Sequence, residues 1–346
     1  MSQAPTSPDE TSRLCGGRSA DLGGAQVFGL VRDELEDVEE VLCQTFRSRR
    51  NTFPLAFAHA VGAGGKRIRP ALVLLSARAA GASTSRETIQ LAAALEAIHL
   101  ASLVQDDVVD HSATRRGAES VNRRWGNEVS ILLADFIFSA TLAQMCSYAP
   151  KEVIQLVAAT VAQMAEAELE EMENRNNLDF READYLRVVE GKTAALMSVC
   201  CAAGAIAGGA DANVSALLGR FGAKMGTAFQ LADDLLDFVG DPSKTGKPRG
   251  KDLLEGKVTL PLISSVSRWD GTGRRLLAQV LGAGDVEAAK LEAVIDLILK
   301  VGGVEYARAR AREFADQASA CLFSLPLSSS VEALRAAAYF AVEREA

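Results

Sequence analysis

The stretch HLASLVQDDVVD, residues 99–110, ends an apolar helical run with three carboxylates. Residues four apart lie on one face of an α-helix, so Asp106 and Asp110 project together and Asp107 lies beside them. Like charges at this spacing destabilise a helix by roughly 0.2–0.5 kcal/mol, and a helix C-terminus also disfavours anions. Because local energetics does not favour this cluster, its residue types point to a bound ligand.

A second cluster of the same form, DDLLD at residues 233–237, also follows an apolar helical stretch. It places Asp233 and Asp237 on one face, with Asp234 alongside. Carboxylate oxygens are hard ligands that suit Mg²⁺ when the ion keeps waters and completes its shell with substrate phosphates. A single cluster of this form could equally be a solvated acidic helix end or a metal site. Two of them, each followed by a basic loop, predict a metal site.

Three basic islands supply the complementary charge. GGKRIRP at residues 64–70 carries three cations on a glycine-hinged segment, and a spacing of three predicts that Lys66 and Arg69 share a helix face. Arg115 and Arg116 follow the first acidic cluster. The second cluster is followed by five cations: Lys244, Lys247, Arg249, Lys251 and Lys257. Arginine and lysine are the usual partners of diphosphate oxygens, so the islands beside the carboxylates predict a metal–diphosphate site.

The predicted fold class is all-α. Ala, Leu, Glu and Arg are abundant from residue 27 onward, and alternating β-branched runs are few. Capping boxes that begin at Thr84 and Ser329 precede two helical runs. Breaks are expected near residues 62–70, 111–126, 150, 174–179, 208–213 and 240–250. The Ser-, Pro- and Gly-rich residues 1–26 are predicted to be a disordered tail and residues 27–346 a single domain.

Composition argues against several classes of function. The net charge of −8 disfavours a nucleic-acid surface, which needs a basic face. No apolar run of about 18 residues is evident, so we expect no membrane span. The six cysteines lack the spacing of a zinc site, which favours a reduced, cytoplasmic setting.

Taken together, the motifs resemble those of the trans-isoprenyl diphosphate synthases, the polyprenyl synthase family. The matching segments, in the family's order, are GGKRIRP, DDVVDHSATRRG, the pair Lys192–Thr193, FQLADDLLD and GKPRGKDLLEGKVTLPL. The resemblance runs from about residue 30 to the C-terminus. It implies antiparallel helices around a deep central cavity, three Mg²⁺ ions per active site and a homodimer, with peripheral membrane contact for product release.

The resemblance also implies roles for individual residues. The metal ligands would be Asp106, Asp107, Asp110, Asp233, Asp234 and Asp237. The allylic diphosphate would be contacted by Arg115, Lys192 and Lys247, with Lys257 as a further substrate-binding residue. Isopentenyl diphosphate would be held by Lys66, Arg69, His99 and Arg116, with Arg67 as an additional candidate. Thr193 and Gln230 would stabilise positive charge near the reacting carbons through their oxygens.

The implied reaction adds one five-carbon trans unit in each cycle. Metals and cations neutralise the leaving diphosphate, so the allylic carbon–oxygen bond ionises to a carbocation. Isopentenyl diphosphate then attacks this cation, and a proton is lost to the departing diphosphate.

Product length in this family is expected to depend on side chains one and two turns before the first acidic cluster. Ala101 and Ser102 are small at this place, and Ile98 would line an apolar tunnel. We therefore predict a long-chain product of the kind attached to quinone rings, with octaprenyl as the first choice. The tunnel floor is expected within residues 135–145 or 153–164. A shorter geranylgeranyl or farnesyl product is the alternative.

Two departures from the family pattern stand out. Gln105 replaces the His of many long-chain members, and AELEE at residues 167–171 replaces a GExxQ-like segment, which leaves the role of Glu171 open. A class I terpene cyclase is the enzymatic rival, but its second metal motif should carry Asn, Ser and Glu. A noncatalytic partner subunit should have lost aspartates or GGKRIRP arginines, and a purely structural bundle would leave both acid–base groupings unexplained.

Overall fold

The computed structural model describes residues 27–45, 52–240 and 249–343. Regular structure within these ranges is helical except for one hairpin, formed by β1 (Thr114–Arg115) and β2 (Ala118–Glu119). This confirms the all-α prediction. The predicted tail, residues 1–26, lies outside the described residues. The chain divides into two compact units, which are treated separately below.

The first unit comprises Met1–Ala158, Cys200–Ala216 and Leu327–Leu334. Its leading elements are a 3₁₀ turn (Gly29–Val31), α1 (Arg32–Thr45), α2 (Thr52–Gly62), α3 (Ile68–Ala79), α4 (Arg86–Val109), the hairpin, α5 (Val121–Trp125) and α6 (Asn127–Met145). Helix α4 packs against α1, α3 and α6. Leu91, Leu95 and Ile98 on α4 are completely buried, and each such side chain contributes about 1.5–3 kcal/mol. This burial holds the acidic end of α4 on a packed core.

The second unit comprises Ala159–Val199, Leu217–Pro326 and Arg335–Ala346. The later elements are α7 (Lys151–Glu173), α8 (Glu182–Val189), a π-helical turn (Glu190–Ala194), α9 (Ala195–Ala207), α10 (Ala212–Val239), α11 (Lys251–Leu254), α12 (Leu260–Val266), α13 (Gly271–Leu277), α14 (Ala288–Lys300), α15 (Gly303–Cys321) and α16 (Ser329–Val342). Helices α7, α9, α10 and α16 carry residues of both units. The core of the second unit includes Leu235, Phe238 and Trp269, so α10 is anchored close to its acidic residues.

Three helix starts differ from the sequence expectation. Ser85, and not Thr84, caps α4, and its Oγ accepts from the Thr88 amide at 3.2 Å. Ser328 Oγ accepts from the Val331 amide at 3.3 Å and caps α16 one residue before the predicted box. Helix α3 begins at Ile68, so the predicted helix face shared by Lys66 and Arg69 is wrong.

Three helical segments are long and apolar enough to cross a membrane by length and composition alone: Arg86–Val109, Asn127–Met145 and Glu182–Ala207. The expectation that no segment reaches this threshold is therefore wrong. The apolar windows of the first and third segments are 67% buried, which is the pattern of core helices. The window in α6, Asn127–Met145, is only 33% buried.

Candidate active site

In the first unit, the DDVVD cluster occupies the last turn of α4. Asp107 is buried, and Arg115 binds it through Nε and Nη2, each 2.8 Å from Asp107 Oδ1. Asn122 donates from Nδ2 to the Asp107 carbonyl oxygen at 2.9 Å, and the Ser112 amide donates to the same oxygen at 2.9 Å. Asp106 and Asp110 are half-buried. The cluster therefore consists of one anchored carboxylate flanked by two that are more accessible.

The hairpin fixes both arginines of the first basic loop. Its two-residue turn is Arg116–Gly117, with φ of 51° and 76°, and positive φ at both positions is what a type I′ turn requires. Arg116 donates from Nη1 to the Gly64 carbonyl oxygen. His59 on α2 hydrogen-bonds through Nε2 to the Glu119 carbonyl oxygen at 2.7 Å. The hairpin thus joins two basic islands that lie far apart in the sequence.

His99 lies among arginines. Burial lowers its pKa well below the ordinary value, and the charges of Arg69, Arg116, Arg115 and Arg67 lower it further, so the imidazole is neutral near pH 7. The Nε of Arg69 is buried and, among the described residues, has no hydrogen-bond acceptor. A neutral donor, an arginine whose Nε–H has no acceptor among the described residues, and the nearby Arg116 suit this place to an anion; we call it the arginine pocket.

Arg67 has a structural role in this arrangement. Its guanidinium binds Glu96 at 2.8 Å between Nη1 and Oε1 and also pairs with Glu39 on α1. The residue is almost fully buried and holds φ at 47°, a left-handed conformation that is costly for a non-glycine residue. Because two carboxylates balance its charge, Arg67 supports the loop in this arrangement, and its role as an additional diphosphate ligand stays a prediction.

In the second unit, the π-helical turn carries Lys192 and Thr193. Lys192 Nζ lies 2.6 Å from Glu168 Oε2 and 2.6 Å from Glu171 Oε2. Gly191 permits this approach, because a Cβ at that position would lie 2.6 Å from the Cβ of Ala167. The acidic segment AELEE, whose role the sequence left open, therefore holds Lys192. π-Turns frequently occur at functional sites.

A chain of hydrogen bonds connects the π-turn to the second acidic cluster. Thr193 Oγ1 donates to Gln230 Oε1 at 2.8 Å, and Gln230 Nε2 donates to Asp234 Oδ1 at 2.7 Å. Tyr185 on α8 donates to Asp234 Oδ2 at 2.5 Å. Gly226 allows α10 to approach, since a Cβ there would lie 2.6 Å from the Cα of Ala194.

The carboxylates of this cluster have different environments. Asp234 is buried, and burial raises its pKa to about 7 although its hydrogen bonds oppose the shift, whereas Asp233 is exposed. Asp237 accepts the amides of Lys251 and Asp252, each at 3.0 Å, and so caps α11. Burial, followed by the charges of Asp237 and Asp234, raises the pKa of Asp252 well above the ordinary value.

Three residues near these clusters were missed from the sequence: Tyr185, Asp252 and Asn122. Asp252 could have been identified from its place in GKDLLEGK between two lysines, whereas no sequence signal linked Tyr185 or Asn122 to an aspartate. Of the predicted cations, Lys257 binds Glu255 at 3.0 Å, and Lys244 and Lys247 lie outside the described residues.

Mg²⁺ fits the donor set, although the described ranges contain no group of three His, Cys, Asp or Glu side chains placed to hold an ion. Burial is the main cause of the raised pKa of Asp252, and the nearby charges of Asp237 and Asp234 add to it; a divalent cation would offset those charges. Mg²⁺ usually keeps waters and takes one or two carboxylates plus substrate phosphates. The carboxylates therefore suit an ion that arrives with a diphosphate.

The predicted chain-length residues differ in accessibility. Ala101 and Ile98 have no solvent exposure, so both side chains pack directly against protein. Ser102 is half-buried, and its Oγ donates to the His99 carbonyl oxygen at 2.9 Å. Ser102 is therefore the predicted wall residue that borders accessible space, one turn before Asp106.

Comparison with known proteins places these features in a family. The polyprenyl synthetase family model matches residues 51–298, more than half of the chain. The chain belongs to the polyprenyl synthetase family. Membership of this family makes the protein a prenyltransferase, and the prenyl transfer that the family catalyses depends on Mg²⁺.

Three relatives from different organisms illustrate the family. Octaprenyl diphosphate synthase of Escherichia coli (strain K12) is 38% identical over 82% of this chain and 88% of its own. Heptaprenyl diphosphate synthase component 2 of Geobacillus stearothermophilus is 34% identical over 92% of this chain and 98% of its own. Short chain isoprenyl diphosphate synthase of Methanothermobacter thermautotrophicus is 38% identical over 92% of this chain and 99% of its own.

Solved structures of the polyprenyl synthetase family share the fold. A polyprenyl synthase from Caulobacter crescentus CB15, complexed with calcium and isoprenyl diphosphate, superimposes with a TM-score of 0.88 at 33% identity, covering 95% of this chain and 99% of that one. A decaprenyl diphosphate synthase from Rhodobacter capsulatus gives a TM-score of 0.86 at 35% identity, covering 92% and 98%. The fold is therefore the all-α isoprenoid synthase fold.

Proposed function

We propose that the protein catalyses Mg²⁺-dependent, head-to-tail condensation of isopentenyl diphosphate onto farnesyl or geranylgeranyl diphosphate. The product would be a long all-trans chain, octaprenyl-like, for quinone side chains. The observation that carries the proposal is the arginine pocket around His99, an anion site built from cations beside the first acidic cluster. Elongation needs a place for a second diphosphate, whereas a terpene cyclase binds one allylic diphosphate.

The residues divide the work of one cycle. Bound Mg²⁺ would neutralise charge on the allylic diphosphate and so assist cleavage of the carbon–oxygen bond. Arg115 and Lys192 would orient this diphosphate. Lys192 would first leave Glu168 and Glu171, and its ammonium group would then act as a point charge on the diphosphate.

The second substrate would occupy the arginine pocket. Arg69, Arg116 and the neutral imidazole of His99 would hold the diphosphate of isopentenyl diphosphate, while Gln230 and Thr193 would offer oxygen atoms to the allylic cation. A carbon–carbon bond then forms, and the proton lost from the new unit passes to the departing diphosphate. Holding both substrates converts a bimolecular step into one with fixed geometry.

The long product is supported by relatives and by local side-chain size. The octaprenyl, heptaprenyl and decaprenyl diphosphate synthases among the similar proteins make long chains by name, and one relative is named a short chain synthase. Ser102 leaves accessible space one turn before the metal cluster. We expect Ser102→Phe to shorten the product, whereas Ala101→Phe would overpack a buried position and cost about 1–3 kcal/mol of stability. Unchanged length in Ser102→Phe would remove Ser102 from the tunnel wall.

One experiment tests the activity and the product together. The purified protein is incubated with Mg²⁺, isopentenyl diphosphate and geranyl, farnesyl or geranylgeranyl diphosphate in turn, and the product is measured by mass spectrometry. We expect elongation that stops when the metal is chelated and returns with added Mg²⁺. Absence of elongation with every primer would overturn the proposal.

We also propose that the protein is a homodimer. Ile131 and Leu132 on α6 are 47% and 56% exposed, and the apolar window of this helix is mostly uncovered. Contiguous exposed apolar surface marks an interaction site. Light scattering should give a molar mass equal to two chains for the wild type. For Leu132→Asp it should give the mass of a single chain.

A required second subunit is the rival arrangement, because one relative is named component 2 of its synthase. In that case the purified chain alone would not elongate until a partner was added. We further propose that the protein is cytoplasmic and that it contacts a membrane peripherally when it releases its product. Residues 27–346 would form a single domain.

A further inference from the structure

Tyr185 is a buried polar side chain that the proposed reaction does not use. It lies on α8, seven residues before Lys192, and is only 4% exposed. Its hydroxyl donates to Asp234 Oδ2 at 2.5 Å, across 49 positions of sequence. A short hydrogen bond between two buried side chains restricts both of them.

The donor and acceptor groups of the side chains determine the direction of the hydrogen bonds that link Tyr185, Asp234 and Gln230. The amide nitrogen of Gln230 can only donate, so Asp234 Oδ1 accepts from it at 2.7 Å, while Asp234 Oδ2 accepts from the Tyr185 hydroxyl at 2.5 Å. With its nitrogen committed to Asp234, Gln230 presents its oxygen on the opposite side. There the amide oxygen accepts from Thr193 at 2.8 Å. The orientation of the Gln230 amide thus depends on how the Asp234 carboxylate is held.

We propose that Tyr185 is a positioning residue that acts through Asp234 on Gln230. By occupying Oδ2, Tyr185 directs Oδ1 of Asp234 towards the Gln230 amide nitrogen, and this keeps the amide oxygen beside Thr193. The hydroxyl also ties α8, which leads directly into the π-turn of Lys192 and Thr193, to α10. The role of Tyr185 in turnover rests on the proposed prenyl elongation.

The test compares Tyr185→Phe with Tyr306→Phe. Tyr306 is a matched control, because its hydroxyl donates to Glu182 Oε2 at 2.6 Å in the same unit and lies outside the acidic cluster. Loss of a hydrogen bond to a charged group should lower kcat roughly ten- to a hundredfold in Tyr185→Phe. We expect KM for both diphosphates to change less than about threefold, and Tyr306→Phe to keep normal kcat.

A double-mutant cycle separates positioning from general damage. If Tyr185 acts through Asp234, Tyr185→Phe should change kcat less than about twofold in an Asp234→Asn background. Multiplicative effects of the two substitutions would show that Tyr185 acts independently and would overturn the inference.

A spectroscopic readout needs neither metal nor turnover. In protein labelled with ¹⁵N-glutamine, the side-chain amide signal of Gln230 is identified by its loss in Gln230→Leu. This signal should shift in Tyr185→Phe and in Asp234→Asn, and remain in place in Tyr306→Phe. An unchanged signal in Tyr185→Phe would refute the positioning role even if kcat fell.

The two proposals fail in distinguishable ways. If the wild-type protein does not elongate any primer, the proposed function fails and the amide signal still tests the link from Tyr185 to Gln230. If the wild type elongates and Tyr185→Phe matches Tyr306→Phe in kcat and amide signal, the inference about Tyr185 falls and the function stands.

Discussion

The two DDxxD clusters share a local pattern but have opposite electrostatic surroundings. In the first unit, burial lowers the pKa of His99 and the charges of the surrounding arginines lower it further, and Arg115 pairs with the buried Asp107. In the second unit, burial raises the pKa of Asp252 and the charges of Asp237 and Asp234 raise it further, and the buried Asp234 receives hydrogen bonds from neutral donors. Similar helix ends have thus acquired surplus positive charge in one unit and surplus negative charge in the other. The difference suits the first unit to binding the anionic diphosphate of a second substrate and the second unit to binding metal cations.

The largest effect is expected at the accessible rim of the first cluster. Asp106→Ala removes a hard oxygen from the proposed metal site, and kcat should fall by at least about a thousandfold, since a metal contributes several kcal/mol to charge stabilisation. Steady-state product formation measures this. Asp285→Ala, an exposed aspartate in a turn, should keep normal activity. Retained activity in Asp106→Ala would end the metal role of the first cluster.

The next largest effect concerns the two anchored aspartates. Arg115→Gln leaves the Asp107 charge buried without its cation, and we expect a loss of about 2 kcal/mol in the free energy of unfolding. Tyr185→Phe, which removes one neutral donor from Asp234, should cost about 1 kcal/mol.

Urea unfolding measures both values. Arg181→Gln breaks an exposed ion pair with Asp184 and should cost less than about 0.5 kcal/mol. Equal losses in Arg115→Gln and Arg181→Gln would contradict the contrast between a buried anchor and a surface pair.

A smaller effect should follow pH through His99. Its folded pKa is depressed, so below pH 6.5 the unfolded chain binds more protons at this residue, and the His99 contribution to stability falls as pH is lowered. The raised pKa values of Asp234 and Asp252 act in the opposite direction in both proteins, so the His99 contribution is the difference in slope between wild type and His99→Gln. This difference is at most about 1.4 kcal/mol per pH unit. Unfolding curves between pH 7 and 5.5 measure the slope.

His111 provides the matched control, because it is exposed and its left-handed conformation tolerates asparagine. His111→Asn should retain the wild-type pH dependence. A His99→Gln variant with an unchanged slope would show that the arginine pocket does not keep His99 neutral.

The smallest effect is expected from removing one partner of Lys192. Two carboxylates pair with Lys192, whereas Arg115 pairs with one. Glu171→Gln leaves Glu168 in place, and a partly exposed ion pair contributes about 0.2–1 kcal/mol. KM for the allylic diphosphate should therefore change by no more than about fivefold. Glu173→Gln, an exposed substitution on the same helix, should leave KM unchanged. A thousandfold effect of Glu171→Gln would place Glu171 among the ligands.

Much of the fold could be predicted because helical signals are local. The predicted breaks agree with helix ends at Gly62, Val109, Glu173 and Ala207. Errors arose where neighbouring residues compete for one role, as with Thr84 and Ser85 at the start of α4. The placement of Lys66 on a helix failed because the left-handed Arg67 delays the helix to Ile68, and the buried pairs with Glu39 and Glu96 hold that conformation.

The sequence by itself determined that carboxylates would cluster at two helix ends and that cations would lie near them, because residue type and spacing are properties of the local chain. Tertiary structure alone decided the partner of each carboxylate. Tyr185 and Asp234 are 49 positions apart, and Glu171 and Lys192 are 21 apart. Local energies carry no information about such pairs. The Tyr185–Asp234 pair forms because burial of the apolar faces of α8 and α10 brings these helices together, and a buried polar group must then find a partner. The Glu171–Lys192 pair forms where Gly191 lets the π-turn approach α7.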